Sequence, residues 1–213
     1  MRNSLLLYSL FLVLTGCSPA PPREQAAQPK RPARAPDNFQ VRFETSKGPF
    51  TIEVDRAWAP RGADRFYELV EDRFFDEARF FRVVKGFVVQ FGIHKDPVIN
   101  ARWNKLHLVD DPVRESNKRG YVSYATSGPS TRTTQIFINL ADNSRLDSRG
   151  FAPFGRVTDG MDVVDKLYAG YGDSPPLGYY GPDQNKIEAE GNAYLERSFS
   201  RLDYIRTARV VSH

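Results

Sequence analysis

The chain has 213 residues, 40% hydrophobic and 26% charged, which fits a soluble globular domain of ordinary size with additional segments. Its net charge of +4 comes from 30 Lys and Arg against 26 Asp and Glu. Arg23, Lys30, Arg31 and Arg34 supply much of that excess near the N-terminus, and no long basic run forms the clustered face a nucleic-acid partner requires. The single cysteine, Cys17, excludes an intrachain disulfide and a cysteine-based metal site.

Taken in order, residues 1–16 read as a targeting segment. Arg2 gives a positive start, and Leu5 to Leu14 is an apolar stretch too short to span a bilayer comfortably. Leu14-Thr15-Gly16-Cys17 resembles the lipobox of bacterial lipoproteins. That resemblance implies cleavage before Cys17, acylation of Cys17 and a membrane partner reached through the acyl chains. Ser18 stands where an aspartate would imply inner-membrane retention, so the expected location is the bacterial envelope, at the outer membrane facing the periplasm. Residues 17–38 hold six prolines among few large apolar side chains, which predicts an extended tether.

Residues 39–213 are the expected folded domain. Phe39, Val41 and Phe43, then Phe50, Ile52 and Val54, alternate with polar residues around Thr45-Ser46-Lys47-Gly48, which predicts a hairpin. Pro60 and Gly62 open a helical stretch with Ala63, Phe66, Leu69 and Val70 on one face. The most apolar run of the domain follows, from Phe80 to Gly92, broken at Lys85-Gly86 into two strands. Alternation puts Phe81 and Val83 on one face and Phe80, Arg82 and Val84 on the other. Beyond the break, Phe87, Val89 and Phe91 share a face opposite Val88 and Gln90.

Further along, Asp110-Asp111 reads as a solvated turn, and the histidines show no metal-ligand spacing. Gly120 to Ala125 and Gln135 to Leu140 read as strands. In the second, Ile136, Ile138 and Leu140 are core candidates, leaving Phe137 on the polar face. An aromatic ring there, with Arg82 and Gln90 available, suggests an apolar pocket edged by a few donors. Phe154 to Val157 is a strand, Met161 to Leu167 a second helix, and Tyr204 to Val211 a last strand. The long segment 169–199 carries Tyr171, Tyr179, Tyr180 and Tyr194, read as staples of a loop. Ser127 and Ser130 have no G-x-S-x-G setting, so a serine hydrolase is poorly supported. Short strands with two helices predict a mainly β fold, a closed or nearly closed antiparallel sheet with helices at its ends.

The run Phe80-Phe81-Arg82-Val83-Val84-Lys85-Gly86-Phe87-Val88-Val89-Gln90 resembles the cyclophilin signature F-H-R-[IV]-[IV]-x-G-F-x-x-Q. Ala125-Thr126-Ser127-Gly128-Pro129 through Gln135-Ile136-Phe137-Ile138 resembles that family's second block. Leu146-Asp147 with Phe154-Gly155-Arg156-Val157 resembles its third. The resemblance implies a closed eight-stranded barrel capped by two helices and a cis/trans isomerase of X-Pro peptide bonds that needs no cofactor and no metal. It implies Arg82 as the catalytic arginine and Gln90 as its orienting partner. Phe87, Val88, Phe137 and Leu146, with Phe151 near a pocket histidine of the family, would line the proline site. Ala125, Thr126 and Gln135 would align the peptide.

Two departures stand out: Phe81 replaces the signature histidine and is expected to pack inward, and Arg145 replaces a tryptophan that helps many members bind cyclosporin. The implied partners are proline-containing polypeptides, with the protein a monomer folding envelope clients. The alternative is a proline-peptide-binding chaperone whose catalysis is incidental.

Overall fold

A computed structural model describes residues 34–178 and 180–212. The expected signal peptide, Cys17, most of the tether and Tyr179 lie outside them. Eight strands, β1 (Asn38–Thr45), β2 (Gly48–Asp55), β3 (Arg82–Val84), β4 (Val88–Phe91), β5 (Tyr121–Tyr124), β6 (Ile136–Asn139), β7 (Pro153–Asp159) and β8 (Ile205–Ser212), form one sheet. Its order is β3-β4-β6-β5-β7-β2-β1-β8, every neighbouring pair antiparallel. The expected hairpin is present as β1 and β2, with Thr45 opposite Gly48 across the turn.

The sheet curls into an open half-barrel, which corrects the expected closed barrel. β3 has only three residues before the chain turns at Lys85, too short to carry a ladder across to β8. Between these edges lies an isolated bridge, Arg79 to Tyr204, with backbone bonds from Phe80 N to Asp203 O and from Ile205 N to Ala78 O.

The expected pair of helices is there: α1 (Pro60–Glu71) and the short α3 (Met161–Asp165). Three more fill segments that carry no clear periodicity: α2 (Pro97–Trp103), α4 (Gln184–Glu190) and α5 (Asn192–Ser198). Helix α1 buries Ala63, Phe66, Leu69 and Val70 at the three- and four-residue spacing that makes one face of a helix. Its first turn lacks a local side-chain cap. The carboxylate of Asp111 serves instead, accepting from the backbone N–H of Arg61 at 3.1 Å and of Gly62 at 2.9 Å. Asp111 is therefore buried against the helix N-terminus and Arg132 rather than solvated, because the orphan donors of a helix start attract an anion.

The concave side of the sheet and α1 enclose a core rich in phenylalanine. Phe43 and Phe50 stack with centroids 4.8 Å apart, and Phe66 meets Phe154 at 5.0 Å. A second apolar cluster lies under α4 and α5, where Phe81 and Ile93 meet Ile187, Tyr194, Leu195 and Leu202. Phe81 is thus buried, as expected, but against α4 and α5 rather than in the main core. It does not share a face with Val83, and Phe80 does not share one with Arg82, since Phe80 joins Val83 in the main core. The β3 ladder begins at Arg82, after the isolated bridge at Arg79, so no continuous pleat runs through residues 80 and 81 to enforce alternation.

Candidate active site

Residues directly opposite on paired strands project from the same face of a sheet. Across β3, β4, β6 and β5 the register aligns Arg82 with Gln90, Gln90 with Phe137 and Phe137 with Ser123. The adjacent row, Val83, Val89, Ile138 and Val122, faces the core. One pleat therefore puts a guanidinium, an amide and an aromatic ring side by side on the outer face, while the next anchors their backbone in the core.

The polar part of this row is a continuous relay. Arg82 Nη1 donates to Gln90 Oε1 at 2.9 Å, and Gln90 Nε2 donates to Gln135 Oε1 at 2.8 Å. Gln135 Nε2 donates to Glu188 Oε1 at 3.2 Å, and Asn104 Nδ2 donates to the other Glu188 oxygen at 3.0 Å. At the opposite end Arg82 Nε and Nη2 donate to the two carboxylate oxygens of Asp173, at 2.5 and 3.2 Å. Burial raises the Glu188 carboxyl above its ordinary range, partly offset by the amides of Asn104 and Gln135.

The apolar part is a niche formed by Val88, Phe137 and Leu146, with Phe87, Ala125 and Phe151 packed against it. Phe137 and Phe151 meet edge to face, with centroids 5.6 Å apart. The Arg82 guanidinium carbon lies 5.5 Å from the Phe87 ring centroid, and that of Arg145 lies 5.0 Å from it, within cation–π range. Phe87 departs from the expected face because it belongs to the turn between β3 and β4, whose N–H returns to Val84 O.

A buried polar network holds this niche in shape. Asn117 donates to Asp147 and to the carbonyl of Phe151, and Asn143 donates to the carbonyl of Phe87. Asp147 also accepts from Ser116 and from the backbone of Asn117. Burial opposes ionisation of Asp147, yet the bonds from Ser116 and Asn117 hold its carboxyl below the usual range.

The cavity over this face measures about 590 Å³, within the span of small-ligand sites. Arg82, Phe87, Val88, Gln90, Ala125, Thr126, Gln135, Phe137, Leu146 and Phe151 all line it, so every residue singled out in the domain for substrate or catalysis comes to one place. The Thr126 hydroxyl is turned to its own loop, bonded to Gly128 O and, at 2.9 Å, to Thr131 Oγ1, which leaves its backbone as the part able to meet a peptide.

Residues 40–180 match the family model described as cyclophilin type peptidyl-prolyl cis-trans isomerase/CLD. The chain belongs to the cyclophilin-type peptidyl-prolyl cis-trans isomerases. It is 36% identical over 143 residues to peptidyl-prolyl cis-trans isomerase CYP18-2 of Arabidopsis thaliana, covering 64% of this chain and 84% of that one. It is 34% identical over 167 residues to a peptidyl-prolyl cis-trans isomerase of Acinetobacter baylyi, covering 72% and 81%. In fold it is similar to a crystal structure of a Cryptosporidium parvum cyclophilin, with a TM-score of 0.58 at 19% identity, covering 83% of this chain and 99% of that one.

In this cyclophilin the pocket also has a wall that sequence reasoning missed. Asp173, Ser174, Pro175, Pro176 and Leu177, with Glu188 and Asn104, line the same cavity. Asp173 and Glu188 come from the segment 169–199, Asn104 from the segment 94–119. No local pattern marks them, because they reach the site only once α4 and α5 dock on Phe81 and Ile93. Of the expected tyrosine staples, Tyr171 and Tyr194 both pack on Phe199, and Tyr168 packs on Tyr171, whereas Tyr180 is exposed and staples nothing among the described residues.

Proposed function

We propose that Arg82 carries the isomerase chemistry, with Gln90 as its orienting partner, and that the proline ring enters the niche of Phe87, Val88, Phe137, Leu146 and Phe151. The observation that carries this reading is the guanidinium held at the rim of that niche by Gln90 on the neighbouring strand. The barrier to rotation is amide resonance, about 18–20 kcal/mol. A cation donating to the prolyl nitrogen as it pyramidalises interacts only with the twisted state, and such differential binding is what lowers a barrier. Of the five N–H groups of a guanidinium, three are engaged by Gln90 and Asp173, which leaves two for a substrate on a side chain that lines the cavity. Ala125, Thr126 and Gln135 align the peptide. A second structure of the Cryptosporidium cyclophilin was determined in the presence of the dipeptide Ala-Pro, which supports a proline peptide as occupant here.

In the same reading residues 1–16 are removed, Cys17 is acylated, and the residues from Cys17 up to Ala35, which is buried in the core, tether the isomerase domain to the envelope membrane, where it acts as a monomer on clients that fold slowly at X-Pro bonds. Arg145 in place of an aromatic predicts weak inhibition by cyclosporin. The test of catalysis is proline-limited refolding of a model substrate, whose uncatalysed slow phase lasts roughly 10–100 s. Acceleration of that phase supports an isomerase. Suppression of aggregation with an unaltered slow phase supports the proline-binding chaperone instead. Cys17→Ala tests the anchor: the protein is expected to leave the membrane fraction, and retention there contradicts lipidation at Cys17.

A further inference from the structure

The segment from Tyr168 to Phe199 touches both ends of the Arg82–Gln90–Gln135 relay. Asp173 holds the Nε/Nη2 edge of Arg82 through both carboxylate oxygens, the fork geometry that fixes a guanidinium in plane as well as in position. Both side chains are largely shielded, at 11% and 24% exposure. The Asp173 carboxylate is itself pinned by the backbone N–H of Ser174 at 2.8 Å. Its backbone carbonyl accepts from Gly181 N at 3.0 Å. Gly181 lies so close that a Cβ there would stand 2.4 Å from that oxygen. The strap is thus folded back on itself around Asp173.

Glu188 acts at the other end through hydrogen-bond polarity. A carboxylate only accepts and a guanidinium only donates. With Arg82 at one end and Glu188 at the other, Gln90 and Gln135 each have one permitted orientation. Gln90 must turn its oxygen to Arg82, and Gln135 its nitrogen to Glu188, as observed.

We propose that this segment is the positioning element of the active site, with Asp173 and Glu188 gripping the relay at its two ends so that the free N–H groups of Arg82 point into the cavity. The inference rests on the reading of Arg82 as the catalytic group. Both acids are positioning residues, acting through Arg82 and Gln135. The cavity stays open beside the Arg82–Asp173 pair, which distinguishes a clamp from a plug.

The test is steady-state isomerisation of an Ala-Pro peptide by the full-length protein, with kcat and KM separated. Asp173→Asn is expected to lower kcat about tenfold, equivalent to ~1.4 kcal/mol, with KM changed less than about twofold. Asp173→Glu is expected to recover part of the loss. Glu188→Gln is expected to lower kcat roughly threefold, since a neutral amide at 188 accepts more weakly from Gln135 and can turn a donor toward it, loosening the far end of a relay that Arg82 still orients from its own end. In an Arg82→Lys background, which cannot form the fork, Asp173→Asn is expected to have little further effect. An unchanged or raised kcat in Asp173→Asn, a loss confined to KM, or the same tenfold loss in the Arg82→Lys background overturns the proposal. Should Asp173→Asn not fold, Glu188→Gln decides, and an unaltered kcat there overturns it. A wild-type protein without isomerase activity would overturn the catalytic reading itself, whereas an active wild type matched by both variants overturns only the clamp.

Discussion

Of the three apolar clusters among the described residues, one forms the niche of the site, and the other two, the main core and the layer under α4 and α5, differ in depth. The main core is closed by the curled sheet and α1, with Phe43, Phe50, Phe66 and Phe91 all fully buried. The second is a thin layer in which Phe81 and Ile93 receive four side chains of α4, α5 and the following turn. Arg82 stands between them in the chain. Its neighbour Val83 is rooted in the deep core and its neighbour Phe81 in the shallow layer, while its ionic partner Asp173 follows Tyr171, which packs against that layer. On this arrangement, folding stability and the alignment of Arg82 are expected to be separable.

The comparison is broken most severely from the deep side. Phe43→Ala removes a fully buried ring stacked on Phe50 and is expected to cost about 4 kcal/mol of global stability. Denaturant unfolding followed by tryptophan emission would check this, and the loss should appear in every part of the domain. From the shallow side, Leu195→Ala in the second cluster is expected to cost about 2–3 kcal/mol. The loss should fall locally: amide exchange should rise across 169–199 while strands β1 and β2 stay protected. Isomerase kcat should drop as Asp173 is released. Uniform loss of protection would show that the two clusters unfold as one.

A smaller effect concerns acid. Asp147 has a folded pKa below its ordinary value, so its contribution is present above about pH 4 and fades as the pH falls through the lower folded value. Asp147→Asn is expected to cost about 1 kcal/mol at neutral pH and to flatten that acid limb in urea midpoints measured against pH. An unchanged limb would remove Asp147 from the account.

What could be read in advance follows the same division. Arg82, Gln90 and Phe137 were legible because a regular pleat turns sequence spacing into facing, and because their surroundings carry the family's motif. Where the pleat stops, the reading fails. Phe80 and Phe81 precede the first ladder pair, Phe87 sits in a turn, and the three-residue β3 leaves the barrel open. The pairing of Asp173 with Arg82 spans 91 residues and arises from helix docking, for which a Gly- and Pro-containing stretch gives no periodic sign. Asp111 was misjudged for the same reason: its partners are the N–H groups of a helix fifty residues earlier, invisible from its own neighbours.

The central claim is that Arg82 acts on the twisted state of the bond rather than on peptide binding. Exchange spectroscopy on an Ala-Pro peptide with wild type and Arg82→Ala measures both quantities in one sample. The expected result is peptide affinity within a few-fold of wild type, together with a fall of cis/trans exchange by roughly a hundredfold, or ~2.7 kcal/mol. Exchange that stays at the wild-type rate in the alanine variant would contradict the account.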